Sequence, residues 1–191
     1  MVRRLALAAV VLALALCGPA LAGTTAEIKI TVTVEYLSVK VTQTTVKLGT
    51  VAAGTTPISS KVDIENDGNV AENIGLKITN QDDLGVWTAE KKAGENQYVL
   101  YGIIVNDSFP APTQADCQTD ADDLSASVKY WQTTDGTAAT SAFVTTVGTA
   151  TPVPAGVLKD LYFGFAVPTS VTGPTARLEH AITVELSVYK D

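Results

Sequence analysis

Cys117 and His180 are the side chains with the readiest chemistry. The chain holds one histidine and two cysteines, and Cys17 falls inside an apolar leader, so a thiol–imidazole pair could only be built from these two. Such a pair would attack an acyl carbon, with the imidazole taking the thiol proton. The surroundings oppose it: Asp116, Asp120 and Asp122 bring negative charge to a thiol that would have to become a thiolate. His180 is in phase with Leu178, Ile182 and Val184, which reads as a core-rim histidine holding one hydrogen bond. The sequence carries neither a Gly-x-Ser-x-Gly elbow nor a glycine loop for phosphate. The expectation is a protein that is not an enzyme.

Metal and ligand chemistry is the next question. A zinc site built on His and Cys needs about four ligands, more than the chain beyond its leader supplies. Calcium needs only oxygens, and Asp63, Glu65, Asp67 and Gly68 look like the start of a calcium loop until Ile74 stands where the bidentate Glu belongs. A turn explains those residues better. Asp116, Asp120, Asp122 and Asp123 form the remaining calcium candidate, set against a solvated acidic loop; no other cofactor is expected. Trp87, Tyr130 and Trp131, with Tyr162, could make a stacking platform for a polysaccharide, against the alternative that amphipathic rings cap the core edge.

These groups need elements to hold them, and the elements begin after a leader. Arg3 and Arg4 precede an apolar run from Leu5 to Leu16, and Ala20-Leu21-Ala22 gives a small-residue cleavage site before Gly23. Residues 1–22 therefore read as a signal peptide and 23–191 as a single domain that is secreted, periplasmic or at the cell surface. The run is shorter than the roughly 20 residues that a membrane span needs, and no transmembrane segment is expected in the mature chain. Cys17 lies where a lipid-modified cysteine could stand, but Leu16 occupies the place of a small residue. Losing Arg3 and Arg4 makes the formal charge, −7 for all 191 residues, two units more negative. That balance excludes a basic footprint for nucleic acid and disfavours anionic membranes. Cys117 is then the one cysteine left, free or joined to another molecule, and the core must supply the stability.

The mature chain alternates with period two. Ile28, Ile30, Val32 and Val34 share one face, and after Tyr36 the phase moves by one residue to Leu37, Val39 and Val41, which requires a bulge, a bend or a change of sheet. Val46 and Leu48 continue to Gly49. Val62 and Ile64 lead into Asn66-Asp67-Gly68-Asn69, a hairpin signal, with Val70, Ile74, Leu76 and Ile78 beyond it. Tyr98 to Val105 is apolar on both phases and predicts a central strand. Leu161, Phe163, Phe165 and Val167 form an inward row, as do Ile182, Val184, Leu186 and Val188. Residues 106–141 read as one long acidic loop, with a short helix suggested by Leu124, Val128 and Trp131 at i, i+4 and i+7. The fold class is all-β, with about eight antiparallel strands.

Leu48-Gly49-Thr50-Val51, Gly54, Val62 to Asn69, and Pro154-Ala155-Gly156 before Leu161-Tyr162-Phe163 resemble the strand pattern of secreted bacterial immunoglobulin-like β-sandwiches of surface and matrix proteins. The resemblance implies an immunoglobulin-like sandwich, although the antibody-type pair of core cysteines is absent. It covers about two-thirds of the mature chain by pattern alone, so it implies little about function. The termini say more. Ile28, Ile30, Val32 and Val34 begin the mature chain much as Ile182 to Val188 ends it, and a first strand passed to a neighbour would build a fibre. Chaperone-assembled pilins and secreted matrix fibres assemble this way, and Tyr189 is similar to a pilin C-terminus, while most such pilins carry a disulfide. The sequence thus points to a structural or adhesive protein whose partners are itself or other envelope proteins. The alternative is a carbohydrate-binding or calcium-dependent binding module.

Overall fold

A computed structural model describes residues 29, 31–107, 110–117, 122–133, 141–144, 152–173 and 179–190. The expected signal peptide, together with Ile28, Ile30, Asp120 and Leu178, falls outside them. The chain divides into two units, Met1–Val34 and Glu35–Asp191. In the first, Lys29 and residues 31–34 are exposed and outside any strand. The boundary adjoins the phase break at Tyr36.

The larger unit is all-β. Its strands are β1 (Val39–Val41), β2 (Val62–Asn66), β3 (Asn73–Asn80), β4 (Thr88–Ala89), β5 (Gln97–Asn106), β6 (Lys129–Thr133), β7 (Ser141–Val144), β8 (Leu158–Ala166) and β9 (Thr183–Tyr189). They hydrogen-bond in the order β1-β2-β8-β5-β7-β6-β3-β9, and the short β4 lies parallel to β5 off this path. The β5–β7 junction rests on one pair, Ile104 and Ser141. One buried cluster nevertheless takes Val62, Ile64, Leu100, Ile104, Leu161 and Phe165 from one side of that junction and Ile74, Leu76, Ile78 and Trp131 from the other. The ladder must therefore turn over on itself there, as two layers facing across a common core in the manner of a β-sandwich. Gly102 shows how closely the layers meet: a Cβ there would stand 3.1 Å from Leu76 Cδ1 and 3.2 Å from Leu124 Cδ1.

β5 is central, as its doubly apolar sequence predicts. Its residues 98 to 105 are all buried, and a second cluster of Ile103, Val105 and Tyr162 covers its other face. Three local expectations are corrected. The turn at Asn66-Asp67-Gly68-Asn69 does not make a hairpin, because β2 pairs with β1 and β8 while β3 pairs with β6 and β9. It carries the chain between layers: buried Asn66 donates to the carbonyls of Val70 and Val153, 2.8 and 2.7 Å away, and its Oδ1 accepts from Gly68 N. The helix suggested over Leu124, Val128 and Trp131 is extended chain. Leu124 N donates to Leu100 O on β5, Ile78 N on β3 donates to Ser125 O, and β6 follows, so the segment crosses from one layer's edge to the other's. Leu124 and Trp131 reach the same core from a strand that changes layers. Val46 and Leu48, expected in a strand, are half-buried against the core in a segment outside the ladders.

Candidate functional site

Of the acidic candidates, Asp120 lies outside the described residues, and Asp116, Asp122 and Asp123 have separate surroundings. Asp116 closes a 3-10 turn at Gln114–Asp116, its Oδ2 accepting from the Thr113 backbone N and hydroxyl at 2.7 and 2.8 Å. Asp123 is buried in an ion pair with Lys129 at 2.7 Å, and Asp122 is buried where its carbonyl accepts from Gly102 N. Among the described residues no group of three or more His, Cys, Asp or Glu side chains could hold a metal ion. Asp123 in particular is committed to its ammonium, because a buried carboxylate needs its counterion.

The aromatic candidates are occupied too. Trp131 is 2% exposed, bonds Ile104 O through its indole N–H at 3.3 Å, and lies under the Lys159 ammonium at 4.7 Å from the ring centre. Desolvation holds the Lys159 amine below its ordinary value. Tyr130 meets Tyr189 edge to face at 5.2 Å. Trp87 is half-buried, stacked on His180 at 3.9 Å and on Phe165 at 6.0 Å. Trp87 and Trp131 thus each have a ring face occupied by a neighbour within the chain.

Cys117 and His180 belong to different neighbourhoods. Cys117 packs on the small cluster of Ile103, Val105 and Tyr162, and burial, then the charges of Asp122 and Asp116, push its thiol up to about 11. This is the reverse of what a nucleophile requires. His180 Nδ1 meets Asp82 Oδ1 at 2.9 Å, with the ring flat on Trp87. Burial would raise the Asp82 carboxyl, but the backbone N–H groups of Trp87 and Val86, then His180 and Leu84 N, outweigh it and hold the carboxyl below its ordinary value. The cluster ties the loop after β3 to the chain just before β9. Sequence reasoning foresaw the hydrogen-bonded histidine but not its partners, 98 residues away for Asp82.

The remaining candidate is the terminal strand. Val32 and Val34 are 76% and 73% exposed, and Tyr36 and Leu37 follow at 53% and 41%. No other large apolar side chains among the described residues are as open as these two valines. Where the chain joins the larger unit it is firmly held. Tyr36 N donates to Asn69 Oδ1 at 2.8 Å and Ser38 N to Glu72 Oε1 at 2.5 Å, while Glu35 is ion-paired with Lys190. Glu72 is fully buried, so the strap from Tyr36 to Ser38 is fixed by an interior carboxylate. Among the described residues β1 and β9 pair on one edge only.

No family model matches the chain, and neither a curated protein nor a solved structure does. No helix of the described residues is long and apolar enough to cross a membrane.

Proposed function

We propose that this is a secreted, non-enzymatic structural subunit of the cell surface or extracellular matrix, with an immunoglobulin-like sandwich, that assembles by lending residues 28–34 to a neighbouring copy. The exposure of Val32 and Val34 carries this reading. An alternating β-branched row is suited to a half-buried strand, yet these two side chains sit in water outside any strand. The anchored strap from Tyr36 to Ser38 supports it, since a lent strand must be held firmly at its base.

The energetics favour a lent strand that gains backbone partners. Burying four branched apolar side chains contributes about 6–12 kcal/mol. Ordering seven residues costs a similar amount, about 7–14 kcal/mol. The side chains alone roughly break even, so the ladder hydrogen bonds, each worth about 0.5–1.5 kcal/mol net, decide the outcome. Such binding needs an open sheet edge and not merely an apolar surface.

Size-exclusion chromatography with negative-stain microscopy of the chain from Gly23, over a wide concentration range, tests the proposal. Ladders of oligomers or fibres that vanish when Ala26 to Val34 are deleted are expected. A monomer at every concentration would overturn it.

A further inference from the structure

We infer that residues 36–41 form a releasable cap on the edge of β2, latched by the interior carboxyl of Glu72, an inference that does not draw on the strand-lending reading above. The cap is held by polar bonds more than by packing. Tyr36, Leu37 and Lys40 are exposed and Val39 and Val41 only half-buried, whereas Val62 and Ile64 of β2 are 4% and 1% exposed. β1 meets β2 through three pairs, from Val39↔Asn66 to Val41↔Ile64. Ahead of them the Ser38 carbonyl accepts from Asp67 N and Gly68 N at 3.1 and 3.2 Å, and the Tyr36 carbonyl accepts from Asn69 N at 3.3 Å. A segment with little apolar cover, held by backbone bonds at the surface, opens locally while the rest of the fold stays closed.

Glu72 joins that segment to the interior. Its backbone exchanges two bonds with the core residue Val153, at 3.0 and 2.7 Å, so the body of the unit carries the carboxyl and the cap does not. The side chain is fully buried; Oε1 accepts from Ser38 N at 2.5 Å, and Oε2 has no hydrogen-bond partner among the described residues. A buried carboxyl with one oxygen unanswered costs free energy that a packed apolar side chain would not. Lifting the cap admits water to that carboxyl and returns part of the cost, which offsets the bonds lost. The cap is thus poised between two states, and the open one bares the edge of β2 to another strand. Gly68 sets how closely the parts can meet: a Cβ there would collide with Glu72 Oε1 and stand 2.8 Å from the Tyr36 carbonyl oxygen.

The test is native-state hydrogen exchange of the chain from Gly23 over a range of low denaturant concentrations. The Ser38 amide and its opposite numbers at Asp67, Gly68 and Asn69 should exchange as one group, about tenfold or more faster than the β5 amides and with a weaker dependence on denaturant. Glu72→Ala leaves Ser38 N without its acceptor and should speed that group by a further factor of about ten. Glu72→Gln keeps an oxygen for Ser38 N and should hold the group at or below its wild-type rate, while Gly68→Ala should speed it without touching the carboxyl. Leu76→Ala, whose site the opening does not expose, should speed the β5 amides and leave the cap amides alone. Cap amides that exchange only at the β5 rate, or that speed up together with β5 in Leu76→Ala, would overturn the releasable cap. Equal acceleration by Glu72→Ala and Glu72→Gln would overturn the latch.

Discussion

Two stretches of this chain carry nearly the same text and meet different fates. Ile182-Thr183-Val184-Glu185-Leu186 opens a strand that pairs with β3 and half-buries its apolar row. Ile30-Thr31-Val32-Thr33-Val34 reads the same way, yet its described valines stand in water at 76% and 73% exposure. Local propensity cannot separate them, because both are β-branched and alternating. β3 gives β9 a ladder, whereas the described residues 31–34 belong to the other unit, Met1–Val34, and lie outside any strand.

The comparison can be sharpened by substitutions placed along a gradient of cover. Leu76→Ala in β3, at 1% exposure, is expected to cost about 2–5 kcal/mol in denaturant unfolding, since it opens a cavity between the layers. Leu186→Ala in β9 removes the same atoms from a half-buried site and should cost about half as much. Equal losses would mean that the edge of β9 is as well covered as the core. Acid tests the attachment of β9's leading end. The Asp82 carboxyl is held below its ordinary value of 3.8, so its contribution is present above that pH and is lost as pH falls through the folded value. The stability difference between wild type and Asp82→Asn should therefore shrink as pH falls below about 3.8. A difference that did not shrink there would contradict the arrangement of donors around Asp82. Smallest of all, Val32→Lys should change monomer stability by no more than about 0.5 kcal/mol, because the side chain is 76% exposed. A larger loss would show that the segment already has a place in the chain that carries it.

Much of the frame was legible because it is written in period two. β5 could be read as central from Tyr98 to Val105, and the inward rows of β8 and β9 follow from alternation alone. The turn at Asn66 to Asn69 misled because Asn and Gly suit a hairpin and a crossing between layers equally. The deciding bond, Asn66 to Val153 O, spans 87 residues. Leu124, Val128 and Trp131 fit a helix by spacing, but Leu124 and Trp131 enter the same core from a segment that changes layers. Of the candidate sites, the sequence could place acids and rings near one another only along the chain. It could not show that Asp123 belongs to Lys129, that Trp131 is sealed under Lys159, or that Trp87 is stacked on His180. The alternation of Ile28 to Val34 reads as a half-buried strand, but its described residues 31–34 are exposed and lie outside any strand, because period two shows which faces match and not whether a partner covers them.

The most direct test of the central claim is the oligomeric state of the chain from Gly23 with and without the Val32→Lys, Val34→Lys pair, measured by sedimentation over a wide concentration range. The account predicts concentration-dependent assemblies for the first and a folded monomer of unchanged stability for the second. Identical sedimentation of the two chains would contradict it.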